Sequence, residues 1–478
     1  MAKRLSLIFI LVFSIGSFTK LYSQNIRWTL EQCIDHAIKN NIQVKQYEIE
    51  EKSAYVNQQI TYSDFLPNIS GNAQHSWTIS DQSNLRTGII ESQTLQATNI
   101  GVGVNIDIYK GMKNQSAMMK ARLGYLASQY KSQKMKEDIA LSVINSYLQI
   151  IFNKELIKTN RVQLEYDESQ VDRTNTLVEA GSVPAGDLLE AKATVAMSNQ
   201  RLIASQNELV MARLNLAQLL QIESYEDFDI SDSDYEIGDG EILVYSPDDI
   251  TERAFESLTN IKTAEVNLSI AEQDVKIAKS ALQPTIKGFF NFGTTVNYQD
   301  RIVGSQVTGA TSTIGYVEGS NQNVLASQTT PIIGGPESFF DQFKNNKNSS
   351  FGFSLAIPIF NGFRARNNIK LSRLAQEQSR NEKEAAILNL KQLVFQAYTD
   401  TQSAMKSYEA SSVTVEARKQ SLEYARERYD VGLINIFELN QNQNLYVTAQ
   451  SNLLKSKYDY IFKTKILEYY FGIPLFKN

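Results

Sequence analysis

Apolar side chains recur every seventh residue along two stretches of this chain: Ile157, Leu164, Val171 and Val178, then Tyr408, Val415, Leu422 and Tyr429, each 251 positions after its counterpart. Around these rows, residues 113–178 and 363–429 contain no proline and one glycine, Gly124, and are rich in Ala, Leu, Gln, Glu, Lys and Arg. The composition and spacing predict two continuous helices. At ~1.5 Å per residue each is roughly 100 Å long, more than a globular core can cover, so neighbouring helices must support it. A second pair of rows, Leu188, Val195, Leu202, Leu209 and Leu216, then Leu439, Tyr446, Leu453, Tyr460 and Leu467, keeps the same offset and predicts return helices over 188–222 and 438–470. Strict seven-residue spacing favours left-handed coiled-coil packing, and the polar flanks predict water on two sides. Helical segments over about 29–65 and 248–282 make up the remaining length, giving two long and four half-length helices.

Elsewhere the period drops to two. In Ile100, Val102, Val104, Ile106 and Ile108, and in Phe351, Phe353, Leu355, Ile357 and Ile359, apolar residues alternate with small or polar ones, which predicts strands over about 100–109 and 351–360 with one apolar face. Partner strands over about 69–79 and 285–298 begin just after Pro67 and Pro284. The corner Ile108-Tyr109-Lys110-Gly111 reappears as Ile359-Phe360-Asn361-Gly362, again 251 positions on, whereas the prolines are 217 apart. The chain is therefore an internal tandem duplication, and its second half holds 34 more residues, which fall in a Gly-, Ser-, Thr- and Asn-rich stretch from about Gly304 to Ser350 that reads as a long loop. The division is a first repeat over 24–245, including a tip at 179–187 and an acidic equatorial segment at 223–245, and a second over 246–478 with its tip at 430–437.

Residues 1–23 have the layout of a secretory signal: Lys3 and Arg4, an apolar run from Leu5 to Phe18, and a polar exit at Ser23 and Gln24. No later run reaches the ~20 apolar residues of a membrane-spanning helix. The formal charge of −5, or −8 without Lys3, Arg4 and Lys20, argues against nucleic acid as a partner. One cysteine, Cys33, and two distant histidines, His36 and His75, make neither an internal disulfide nor a zinc site, and no metal or cofactor is expected. No nucleophile motif or phosphate-binding glycine loop stands out, so an enzyme is not expected.

Alternating strands also occur in half-buried soluble sheets, but four strands cannot close a barrel and an open edge cannot face lipid. Pooling between chains resolves this, since three copies supply twelve strands. At this point the chain resembles the outer-membrane efflux protein family, the TolC-like channels, over essentially its whole mature length. The resemblance is carried by the duplicated Leu66-Pro67 and Gln283-Pro284 turns, the corners at Gly111 and Gly362, and the loops from Glu179-Ala180-Gly181 to Asp187 and from Tyr429-Asp430-Val431-Gly432 to Glu438. It implies an α+β membrane protein: a trimeric 12-stranded outer-membrane β-barrel, four strands per chain, continuous with a periplasmic α-helical coiled-coil barrel. The function implied is that of a passive exit duct of a tripartite efflux or type I secretion system. A homotrimer in outer-membrane lipid would dock a periplasmic membrane-fusion adaptor and an inner-membrane pump of the resistance-nodulation-division or ABC type. The alternative is a secreted coiled-coil structural or adhesive protein, which leaves the matched strands unexplained.

The tips Gly181, Ser182 and Val183, and Gly432, Leu433 and Ile434, are expected to contact the adaptor, with Leu433 and Ile434 exposed. Asp187 and Glu438, six residues after the tip glycines, either favour the helix N-termini or, as the resemblance implies, form acidic rings at the periplasmic entrance. The resemblance also implies a latch in which Tyr429 bonds Asp187; the arginine of the family pattern is replaced by Ile434.

Overall fold

The computed structural model describes residues 27–85, 88–223, 228–231 and 241–475. The signal segment lies outside these, as does most of the equatorial segment. Two compact units cut across the duplication. One comprises Met1–Tyr55, Leu123–Ser269 and Glu377–Asn478, the other Val56–Arg122 and Ile270–Gln376, so each repeat contributes to both.

The helices are α1 (Leu30–Asn40), α2 (Ile42–Ser63), α3 (Lys113–Glu179), α4 (Ala185–Leu220), α5 (Pro247–Ser257), α6 (Thr259–Ser280), α7 (Phe339–Asn345), α8 (Arg364–Asp430) and α9 (Ile436–Phe471). The long helices α3 and α8 end within one residue of where proline-free periodicity placed them. The half-length segments expected over 29–65 and 248–282 are each two helices instead. One extended residue interrupts each, Asn41 (φ −59°, ψ 132°) and Leu258 (φ −77°, ψ 133°). At the first break the side chain replaces the lost turn: Asn41 Nδ2 donates to the Leu219 carbonyl at 3.0 Å, and its Oδ1 accepts from the Gln43 amide at 2.9 Å.

In the first unit, a core of Cys33, Ile34, Tyr147, Ile150, Leu216 and Leu220 joins α1, α3 and α4, and Ile250, Val394 and Leu467 centre a second core joining α5, α8 and α9. Burial pushes the Cys33 thiol up to about 12, so at neutral pH it is an inert core residue. Beyond that core, toward the tips, the packing between α3 and α4 turns polar. Asn153, Asn160, Asp167 and Thr174, seven residues apart on α3, are all buried, as are Ala191, Ser198, Ser205 and Ala212 on α4. Small residues let the helices approach closely, and the polar heads pair across: Asn160 Nδ2 donates to Ser205 Oγ at 3.3 Å, Asn153 Nδ2 to the Glu208 carbonyl at 3.2 Å, and Ser198 Oγ to Asp167.

In the second unit, β1 (Asn68–Ser83), β2 (Ile90–Lys110), β3 (Thr285–Asn297) and β6 (Lys347–Ala356) form one antiparallel sheet in the order β1-β2-β3-β6. Its register puts Ile69, Trp77, Val102, Val104, Phe290, Phe292, Phe351 and Phe353 on one face and Ser70, Asn72, Asn99, Asn291, Ser350 and Asn348 on the other. The strand expected over 100–109 is shorter than β2, which starts ten residues earlier, and the one expected over 351–360 is displaced from β6, which starts four residues earlier and stops before Pro358, a residue with no amide to donate to a ladder. The segment read as a long loop is instead a hairpin of β4 (Arg301–Tyr316) and β5 (Asn323–Gly334) followed by α7. Its Val, Ile and Thr content favours strand over the breaking tendency of Gly and Ser, and three register shifts absorb the irregular alternation. The short helix is tied to β3: Gln342 Nε2 donates to the Asn297 carbonyl at 2.8 Å, while the Asn297 amide donates to Gln342 Oε1 at 2.9 Å.

Candidate functional site: the helix tips

Both long helices end in the same hydrogen-bonded turn. In the first, the Gly181 amide donates to the Val178 carbonyl and Ser182 to Leu177, both at 2.9 Å; in the second, Gly432 donates to Tyr429 at 2.9 Å and Leu433 to Arg428 at 2.8 Å. This closure requires a left-handed residue, supplied by Gly181 (φ +71°) and Gly432 (φ +76°). The return helices start differently. Pro184 precedes α4 with no side-chain cap, whereas Asn435 Oδ1 accepts from the Glu438 amide at 3.0 Å to cap α9. Asp187 and Glu438 both lie in the first turn, where a carboxylate is favoured.

Gly181, Ser182, Gly432 and Leu433 are exposed, and Val183 is half-buried. Ile434 corrects the expectation of an exposed pair: it is only 8% exposed, packed in a small core with Leu422, Ala425, Ile436 and Leu439. The reason is the turn itself, since the residue after Leu433 points back between the two helices, whereas Leu433 stays 69% exposed. Tyr429 packs against that core, and its buried hydroxyl makes no hydrogen bond within the described residues, so the chain alone does not contain the Tyr429–Asp187 bond.

Cations missed in the sequence are supplied from other positions. Arg173 on α3 meets Asp430 at the end of α8 (2.7 Å), and Arg428 lies 3.6 Å from Glu438. All four side chains are about half exposed, so each pair contributes under about 1 kcal/mol. Further along the helices a buried hydrogen-bond chain crosses all four: Arg426 Nη2 donates to Gln443 Oε1 (3.1 Å), Gln443 Nε2 to Gln163 Oε1, Gln163 Nε2 to Asp167 Oδ1 (2.8 Å), and Ser198 Oγ to Asp167 Oδ2. The Arg426 guanidinium also sits 4.4 Å from the centroid of the Tyr166 ring. The polar row 153, 160, 167 and 174 was the available signal for this chain, overlooked beside the apolar row three or four residues away.

Asp167 is 4% exposed, and burial raises its carboxyl above the usual carboxylate range, an effect opposed by the bonds from Ser198 and Gln163 and the charge of Arg201. A raised folded value means the native state binds the proton more tightly than the unfolded chain. The resulting stabilisation is complete below the ordinary value of 3.8 and is lost as pH rises through the folded value. Asp167→Asn keeps an acceptor for Gln163 and gives Ser198 a donor. It is expected to raise the thermal midpoint at pH 7.5 by roughly 1–2 °C, the shift that about 1 kcal/mol produces in a long chain, with the gain vanishing near pH 3.5. Melting followed by circular dichroism at the two pH values checks this; a variant less stable at pH 7.5 contradicts it.

The family model for outer membrane efflux protein matches residues 33–220 and 251–465, and the chain belongs to that family. It is 22% identical over 441 residues to toxin and drug export protein A of Aggregatibacter actinomycetemcomitans, covering 90% of this chain and 83% of that one. It is 21% identical over 436 residues to the cation efflux system protein CusC of Escherichia coli strain K12, covering 88% and 81%. Among solved structures, CusC superposes with a TM-score of 0.75 at 18% identity over 94% of this chain and 92% of that one. The fold is therefore that of the efflux channels, α+β with a duplicated helix and strand pattern.

Proposed function

We propose that the protein is a passive outer-membrane exit duct, a homotrimer that carries cargo from a periplasmic adaptor and inner-membrane pump to the exterior as part of a tripartite efflux or type I secretion system. The observation that carries this reading is the four-stranded sheet. Its outer strands β1 and β6 each leave one edge unpaired among the described residues. Its apolar face is open, with Phe351, Phe353 and Ile79 among the most exposed large side chains. In water such a sheet invites aggregation, and in lipid its free backbone groups are untenable. Pairing β1 of one copy with β6 of the next satisfies both edges, and twelve strands then enclose the Asn- and Ser-rich face as a wet lumen. Among the described residues no helix is long and apolar enough to cross a membrane, so the sheet is the element left to do so.

The reading gives the subunit no covalent chemistry; the tips Gly181, Ser182, Val183, Gly432 and Leu433 seat the adaptor, and Asp187 and Glu438 ring the entrance. The relatives export toxins and drugs or cations by name, and here the pump selects the cargo. The test is fractionation followed by planar-bilayer recording. A heat-resistant trimer in the outer-membrane fraction with stable single-channel conductance is expected. A soluble or surface-shed coiled-coil protein without conductance overturns the proposal.

A further inference from the structure

Basic residues cluster where the second repeat leaves its last strand. From Gln342 to Gln376 the chain carries Lys344, Lys347, Arg364, Arg366, Lys370 and Arg373 and no acidic residue, although its overall charge is −5. Arg366, Lys370 and Arg373 follow one another at spacings of four and three residues, which places them on one face of the start of α8, and Phe363 directly precedes that helix. All four are exposed. The Arg366 guanidinium lies 5.7 Å from the centroid of the Phe363 ring, and within the described residues Arg366, Lys370 and Arg373 have no carboxylate partner.

The matching face of the first repeat is different. Counting back 251 positions puts Met112, Gln115, Met119 and Arg122 there. Two lysines of that corner are paired, Lys110 with Asp107 and Lys120 with Asp274, each at 2.7 Å, while Lys113 and Arg122 have no carboxylate partner within the described residues. Both corners are basic, but only the second repeat gathers three cations on this face, where the first has Gln115, Met119 and Arg122.

Directly before it, the apolar face of β6 runs on beyond the strand. Phe351, Phe353 and Leu355 are followed by Ile357 and Ile359, the last 95% exposed, and Phe360 packs edge-on against Phe363 at 5.4 Å. An exposed apolar strip ending in two aromatic rings, then three unpaired cations on the adjoining helix face, is the order in which a bilayer changes from acyl chains to phosphates. Aromatic rings favour that boundary, and Arg and Lys extend their heads to phosphate.

We propose that Arg366, Lys370 and Arg373 bind the phosphate headgroups of anionic phospholipid below the apolar collar of Ile359, Phe360 and Phe363, fixing the depth of the channel in its membrane. This rests on the outer-membrane reading above. The trimer is extracted and exposed to equimolar phosphatidylglycerol and phosphatidylcholine, and bound lipid is counted by native mass spectrometry. The wild type is expected to retain phosphatidylglycerol at least fivefold over phosphatidylcholine, a modest demand on three cations each worth about a fivefold change near an anionic surface. Arg366→Gln, Lys370→Gln and Arg373→Gln combined are expected to abolish that preference while the trimer stays intact. Removing equal charge further along α8, with Lys406→Gln, Arg418→Gln and Lys419→Gln, is expected to leave it. A wild type indifferent to headgroup charge, or a first triple variant that keeps the preference, overturns the proposal. A chain that never reaches the outer membrane instead removes the channel reading beneath it.

Discussion

Gly111→Ala is expected to eliminate the assembled protein from the membrane, while Gly362→Ala, at the matching corner of the second repeat, is expected to reduce it only slightly. Both glycines have left-handed backbone, φ +62° and +61°, and each is followed by a second left-handed residue, Met112 (φ 61°) and Phe363 (φ 60°). The conformational cost of a side chain there is therefore about the same, roughly 1 kcal/mol. Their surroundings differ. A Cβ on Gly111 lands 2.7 Å from the Ser280 carbonyl oxygen and 2.8 Å from Gln283 Cβ, whereas one on Gly362 meets nothing within 4 Å. Ser280 ends α6, so the clash falls on backbone that cannot swing away, and overpacking adds about 1–3 kcal/mol. The turn between α6 and β3 and the corner between β2 and α3 must then separate, and with them the pairing of β2 and β3. Comparing the heat-resistant trimer of the two variants in outer membranes settles the point. Equal yields would mean that left-handedness alone governs the corner and that the close approach to α6 is dispensable.

This asymmetry also marks how far the sequence could be read. Glycine at 111 and 362 was legible as a turn in both repeats, because a repeated motif records a repeated backbone. That only one of them is wedged against a neighbouring helix is a tertiary fact, and no local pattern carries it. The long helices were legible to within a residue because proline-free seven-residue periodicity over 67 positions leaves little else. The hairpin of β4 and β5 was missed because Gly and Ser between Thr and Val read as a loop when counted by composition, while the pairing that makes it a ladder lies across the turn. The breaks at Asn41 and Leu258 turn on single residues, and the bond that holds the first reaches Leu219, which is 178 positions away.

At the tips the sequence supplied the turn and the exposed Leu433 but misjudged its neighbour, and the error becomes a sharper test. Leu433→Asp is expected to reduce export by roughly thirtyfold without lowering the amount of trimer. The side chain is already 69% in water, so the charge costs the fold little, whereas losing an apolar anchor at an interface typically costs about 2 kcal/mol or more. Ile434→Asp is expected to do the reverse. It forces a carboxylate into the small core of Leu422, Ala425, Ile436 and Leu439, where an unpaired charge is strongly destabilising, and the α8–α9 tip unravels. Export measured per unit of trimer, together with photo-crosslinking from Ser182, separates the two effects. The Leu433 variant should lose export at constant trimer level, while the Ile434 variant should lose trimer first. If Leu433→Asp exports normally and its first tip still captures a periplasmic partner, the second tip does not seat the adaptor, and the contact belongs to Gly181, Ser182 and Val183 alone.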